Sequence, residues 1–272
     1  MAIGRRRGVV LAASLAVGAL LLSACSSDRG AAGAAFKPVH PGVLTVATAF
    51  LPAPGFWEGN PPTQGFEAKL AADLAHRLGL DRVHVVQVPF ASIIRGKLQG
   101  ADMALSQLTP TKKREKFVDF TTPYLTAPPG VLARTGVEAT DVHGLKALHW
   151  VASRTSTLTP ILMNTIRPNH DPLMTEDRSE ALGILRTGGA QALLLDLPVA
   201  LGLAREDPAQ FHVLGQLSGG EGLAAALPNG SSNREIVDTE IRALTADGTI
   251  GKLASHWLGK SAGDVPLILT EQ

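Results

Sequence analysis

Two apolar periodicities alternate along this chain, and that alternation limits the folds open to it. Val43–Ala49 reads as a strand rich in β-branched residues. Phe66, Leu70, Leu74 and Leu78 then recur every fourth residue, with Lys69, Asp73, His76 and Arg77 between them. Such spacing predicts an amphipathic helix, and Gly79 stands where a left-handed residue would end it. Val83–Val88 follows as a strand, Ile93–Gln99 as a short helix and Ala101–Ser106 as a third strand. A β–α–β–α–β series of this kind belongs to the α/β class.

A second unit follows Tyr124. Val131–Ala133 and Leu148–Ala152 are strand-like, and a helix begins after Ser156 with Pro160 in its first turn. Glu180–Arg186 is helical, Gly188-Gly189 ends it, and Ala192–Leu195 is an apolar strand of the parallel type. Pro198–Arg205 is helical and Phe211–Leu214 extended. Gly222–Leu227 is extended again. Ile236, Ile241, Leu244, Ile250, Leu253 and Trp257 mark a closing helix that Asp247-Gly248 interrupts. Two similar lobes result, with a chain that passes between them twice.

The N-terminus reads differently. Arg5, Arg6 and Arg7 precede an apolar run, Val9–Leu22, shorter than the ~20 residues a membrane span needs. Basic residues and then a short apolar run make an export signal. It ends in Leu22-Ser23-Ala24-Cys25, which resembles the bacterial lipobox, whose cysteine is acylated. Cys25 is the only cysteine, so no internal disulfide forms and the fold relies on its core. Arg6-Arg7-Gly8-Val9-Val10 also loosely resembles a twin-arginine signal, so the export route stays open. Ser26–Phe36 is rich in Ser, Gly and Ala and reads as a flexible tether; Ser261–Gln272 reads as a second flexible piece.

The expected division is therefore a signal peptide at 1–24, an anchor and tether at 25–40, lobe 1 from 41–128 plus 219–260, lobe 2 from 129–218, and a tail at 261–272. Roughly 235 residues remain to fold once the leader is set aside. The formal charge is +1, and three of the 25 basic residues lie in the leader, so the folding part is close to neutral. That gives no argument for nucleic acid.

Four stretches in order make the chain similar to the family 3 extracellular solute-binding proteins, the amino-acid-binding proteins of bacterial ABC importers. They are Gly65-Phe66-Glu67 with its helix, Asp102 to Arg114 with Val118-Asp119-Phe120-Thr121-Thr122-Pro123-Tyr124, Asp196-Leu197-Pro198, and Leu244 through Trp257. The resemblance covers Pro41–Gly259. It implies a two-lobed periplasmic-binding-protein-like fold (type II) with two hinge crossings, an extracytoplasmic monomer lipid-anchored to the cell membrane, a permease as partner, no cofactor or metal, and no catalysis.

It also implies site roles. Arg114 matches the clamp on the ligand carboxylate, where a guanidinium can make two parallel bonds. By spacing alone Arg114 would be one more solvated charge among Lys112, Lys113, Glu115 and Lys116. Thr109 matches a hydroxyl that supports the same carboxylate. Thr155 and Ser156 match a Gly-Thr-Thr turn that opens a helix toward an anion; they could also be a plain cap. Asp196 matches the acid for the ligand ammonium, or could cap the helix that follows. Ser106 and Gln107 end the third strand, where open α/β sheets bind ligands, or are merely strand-end polarity. Phe50, Trp57 and Phe90 could form an aromatic wall or pack in the core.

The chain departs from the family in two places. Ala49 follows Thr48 where the family carries an acid, and Pro52 replaces an aromatic. Lacking that acid, the site is poorly suited to a ligand with a cationic side chain. Arg154 replaces the first Gly of Gly-Thr-Thr; it could meet a second ligand carboxylate or point to solvent. Other readings are a same-fold receptor for a non-amino-acid carboxylate or betaine-like solute, a cyclohexadienyl dehydratase-like enzyme with Glu58 as a poorly matched acid/base, and a metal receptor, which the scattered histidines do not favour.

Overall fold

The computed structural model describes residues 35–259 and 264–269. The leader, Cys25 and most of the tether lie outside the described residues. Residues from Phe36 onward form one compact unit. No described helix is long and apolar enough to cross a membrane.

Lobe 1 is built on a five-stranded sheet. Its strands are β1 (Val43–Thr48), β2 (Arg82–Gln87), β3 (Met103–Ala104), β4 (Val118–Phe120) and β12 (Ala226–Pro228), in the order β2-β1-β3-β12-β4. β1 runs parallel to β2 and β3, and β12 is antiparallel to β3 and β4. All six residues of β1 are buried, as expected of a strand covered on both faces. Edge strand β2 is more exposed.

Helix α1 (Phe66–Arg77) covers this sheet with Phe66, Leu70 and Leu74, all fully buried. Each such side chain contributes roughly 1.5–3 kcal/mol of burial. Gly65 precedes the helix with φ 101°, and a Cβ there would lie 2.4 Å from the carbonyl oxygen of Phe56, so only glycine fits. Gly79 ends the helical segment at φ 71°, as its position predicts.

The second helix corrects the sequence reading. It spans Phe90–Ile93 (α2), not Ile93–Gln99. Gly96 takes φ 75° with its Cα against the Phe117 carbonyl, and Gln99 and Gly100 also have positive φ, so no helix can continue there.

Lobe 2 is built on a six-stranded sheet. Its strands are β6 (Pro129–Arg134), β7 (Trp150–Ser153), β8 (Leu173–Thr175), β9 (Ala192–Asp196), β10 (Phe211–Leu217) and β13 (Leu267–Ile268), ordered β13-β10-β6-β9-β7-β8. Four α-helices belong to this lobe: α3 (Val142–Ala147), α4 (Leu158–Ile161), α5 (Arg178–Thr187) and α6 (Leu197–Glu206). Pro160 lies inside the first turn of α4, as expected, and a π-helical turn over Leu162–Ile166 continues that helix. α7 (Arg234–Ala246) and α8 (Thr249–Trp257) close the chain against lobe 1, interrupted at Asp247-Gly248 as the sequence indicated. Val237, Ile241 and Leu244 are the buried apolar residues of α7, while Ile236 is only half-buried.

The two passages between the lobes pair with each other. β5 (Leu125–Ala127) and β11 (Glu221–Leu223) form a separate antiparallel ribbon.

Two expectations about the ends change. Tether residues 37–40 are tied to lobe 1: Asn233 accepts from the Lys37 amide and donates to its carbonyl, and Asp102 accepts from the Val39 amide at 2.6 Å. The tail contributes β13 to lobe 2, where Leu267–Ile268 pairs with β10 and Ile268 is buried. A two-residue apolar strand is too short to carry a periodicity signal, so the sequence could not reveal it.

Candidate functional site

The strand ends and helix starts of both lobes converge on one cleft, which holds a small cavity lined from both sides. Gln107, Thr109 and Arg114 line it from lobe 1, with Phe90 at its edge. Thr155, Ser156, Arg178 and Asp196 line it from lobe 2. Leu158, Leu162 and Leu194 add apolar surface to its lining.

Arg114 is buried and held from three sides. Its Nη1 donates to the Thr109 carbonyl at 2.7 Å, and its Nη2 donates across the cleft to the Thr155 carbonyl at 2.9 Å. Its guanidinium carbon lies 5.4 Å from the centroid of the Phe90 ring. It is not one of a run of solvated charges: Lys112, Lys113, Glu115 and Lys116 are exposed while Arg114 turns inward.

Asp196 ends β9 and occupies the N-cap position of α6, but its carboxylate makes no capping hydrogen bond. The capping alternative is therefore not realised, and the residue lines the cavity instead. The Ser156 hydroxyl accepts from the Leu158 amide at 3.1 Å, from one residue before the N-cap Thr157 of α4. The Thr155 hydroxyl lies 3.0 Å from the Ser153 hydroxyl and donates to the Glu176 carbonyl at 3.2 Å.

Three of the residues singled out by sequence stand apart from this cavity. Ser106 is buried, and its hydroxyl accepts from the Ala49 amide at 3.1 Å. Trp57 donates its indole N–H to the Leu105 carbonyl at 3.1 Å and packs on the core. Phe50 meets Trp57 edge-on at 6.4 Å, and the two line a neighbouring crevice with Pro52. Arg154 faces outward, 3.4 Å from an exposed Glu176 carboxylate, which settles its two alternatives in favour of the surface.

The sequence did not single out Glu67, Tyr124 and Arg178 as site residues. Glu67 is fully buried in α1. It accepts from the Gln107 amide at 2.8 Å, the Gln107 side-chain NH2 at 2.5 Å and the Tyr124 hydroxyl at 2.5 Å. Desolvation raises the Glu67 pKa above the ordinary range, and these donors only partly offset it. Burial, followed by the adjacent Glu67, pushes Tyr124 well up. Gln107 itself sits at φ 48°, a strained backbone for a side-chain-bearing residue, held there by both bonds to Glu67.

Arg178 is the first residue of α5. The Asp177 carboxylate caps this helix by accepting from the Glu180 amide at 3.1 Å, and Glu180 accepts from the Glu176 amide at 2.9 Å. That cap fixes the turn from which Arg178 crosses the cleft to donate to the side-chain Oε1 of Gln107 at 2.8 Å. Burial lowers the Arg178 pKa; Asp196, Glu67 and Asp177 act in the opposite direction. Only Asp177–Glu180 is legible as a local cap pattern; nothing in the sequence aims Arg178 at Gln107.

The sequence pattern of the bacterial extracellular solute-binding proteins, family 3, matches residues 44–260. The chain belongs to that family. The L-cystine-binding protein TcyJ of Escherichia coli strain K12 is 27% identical over 215 residues, covering 72% of this chain and 74% of TcyJ. Among solved structures, an ancestral arginine-binding protein bound to glutamine is 26% identical with a TM-score of 0.70, and covers 81% of this chain and 100% of its own. A solute receptor for L-cysteine of Neisseria gonorrhoeae is 27% identical with a TM-score of 0.68, at 80% and 90% coverage. The family accounts for the two-lobed frame, while Arg178 and its bond to Gln107 are read from this chain's own geometry.

Proposed function

We propose that this protein is an extracytoplasmic receptor that captures an amino acid between its lobes and delivers it to an ABC importer. One observation carries the reading: Arg114 of lobe 1 and Asp196 of lobe 2 line the same cavity. A guanidinium and a carboxylate on opposite walls are the pair a zwitterion needs, one for its carboxylate and one for its ammonium. A ligand bridging them contacts both lobes only when the cleft is closed, so it favours the closed form by differential contact. That TcyJ and the solved relatives bind amino acids supports the same class.

In this reading Thr109, Thr155, Ser156 and Gln107 supply neutral partners around the charged pair, and Phe90 backs Arg114. Ser106, Phe50 and Trp57 shape the wall from behind. The protein binds and releases its ligand without converting it. Lipid on Cys25 would hold it at the membrane, and residues 26–36 would let it reach a permease only within tens of ångströms.

The test is calorimetric titration of the full chain with a panel of amino acids, followed by thermal unfolding with each hit. Ligand at about 100 times Kd should stabilise the protein by roughly 2.7 kcal/mol. An empty panel with a folded protein would overturn the amino-acid assignment, and consumption of prephenate or arogenate would overturn the non-catalytic one.

A further inference from the structure

We propose that Arg178 makes the cleft selective for an amino acid that carries a second carboxylate. This rests on the receptor reading above and narrows its ligand class.

Glu67 sets the orientation of the Gln107 side-chain amide. Its carboxylate can only accept hydrogen bonds, so it takes the NH2 end of the Gln107 amide, at 2.5 Å. The carbonyl end of the same amide must then face away from Glu67. There it accepts from Nη2 of Arg178 at 2.8 Å. Glu67 of α1 and Gln107, past the end of β3, thus hold the guanidinium at a defined place in the wall.

The hold is incomplete. Among the described residues, the Arg178 Nε–H is one of three buried side-chain polar groups with no hydrogen-bond partner. The other two are the hydroxyls of Thr45 and Thr48, both on β1. A buried donor without an acceptor is costly, and a guanidinium presents its donors in a fork that fits a carboxylate.

The charges of the wall point the same way. Two guanidinium groups, Arg114 and Arg178, and one carboxylate, Asp196, line the cavity. An acidic amino acid carries two carboxylates and one ammonium, the complement of that set. A neutral amino acid would bring no second carboxylate to the Arg178 Nε–H. A basic one would add a third cation to a wall whose acidic lining residue is Asp196 alone. Glu67 does not satisfy the demand, because its oxygens are already taken by the Gln107 amide and side chain and by Tyr124.

The experiment titrates the full chain with L-glutamate, L-aspartate, L-glutamine, L-asparagine and L-arginine, and repeats glutamate and glutamine with Arg178→Gln. We expect glutamate or aspartate to bind at least about tenfold more tightly than its own amide. Arg178→Gln should bring that ratio toward one. Arg178→Lys, which keeps the charge without the fork, should retain part of the preference and covers the case in which the glutamine variant does not fold. Tighter binding of a neutral or basic amino acid, sensitive to Arg114→Ala, would overturn the inference and leave the receptor reading intact. Binding of no amino acid at all would overturn both.

Discussion

Arg114 donates to the carbonyl of Thr155 at 2.9 Å, and this bond spans the two lobes. The residue that is to clamp a ligand carboxylate is thereby also a direct tie between the walls of the cleft. Arg114→Ala removes both functions. Affinity for any amino acid that binds should fall by about 3 kcal/mol, roughly two orders of magnitude, in calorimetric titration. Arg114→Lys should lose most of the same affinity, because an ammonium cannot make two parallel bonds. Unchanged affinity in either variant would remove Arg114 from the site.

Gly202 on α6 lies against Pro54 of lobe 1, and a Cβ there would sit 2.7 Å from the Pro54 carbonyl oxygen. That contact joins the two lobes in this structure, so a side chain there would work against their approach. Gly202→Ala should therefore weaken ligand binding by tenfold or more, an order-of-magnitude expectation for a variant that penalises the closed form alone. Its unfolding temperature without ligand should change little, since alanine favours the helix interior. A matching loss of ligand-free stability would show the contact to be part of the frame instead.

Glu67→Gln tests the buried network. The variant removes one acceptor oxygen and leaves a donor among Gln107 and Tyr124 unsatisfied, which should cost about 1–3 kcal/mol in denaturant unfolding. The pH dependence has a fixed sign. Because the folded-state pKa of Glu67 is raised, the native state holds its proton more tightly, and wild-type stability falls as pH rises from the ordinary glutamate range through the raised value. The gap between wild type and variant should narrow over that interval, and a gap that widens would contradict the assignment.

Asp238 gives the opposite sign. Its carboxylate is buried, accepts from the Thr122 amide and pairs with Arg242. Desolvation alone would raise its pKa, but the bonds from Thr122 and Arg242 together hold it below the ordinary range. It therefore contributes stability above the unfolded-state aspartate pKa, and that contribution is lost as pH falls through the lower folded value. Asp238→Asn should cost about 2 kcal/mol at neutral pH and progressively less in acid.

Cys25→Ala tests the anchor. The variant should leave the membrane fraction and still bind the same ligand, with affinity within about twofold of wild type. Loss of binding by a folded variant would show that anchor and site are not separable.

Much of the frame is local and so could be read from sequence. The four-residue recurrence of Phe66, Leu70 and Leu74 decides α1, and the continuous apolar run of Ala192–Leu195 decides β9, because each periodicity sets which side chains face a core. Arg114 and Asp196 emerge through motif order. Short strands such as β8 and β13 carry too few residues to show a period, and the α2 boundary was misplaced because Gly96 faces Phe117 from a distant segment.

What sequence alone determined is the α/β order, the family and seven of the residues that line the cleft, Arg114 and Asp196 among them. What only the tertiary structure decided is how the cleft is charged. Glu67 lies 40 positions from Gln107, and Gln107 lies 71 from Arg178, so no local pattern links them. Their chain of bonds depends on where α1, the end of β3 and the start of α5 come to rest after folding. A hydrogen bond acts over about 3 Å whatever the sequence separation, which is why the second guanidinium of the wall becomes visible only in three dimensions.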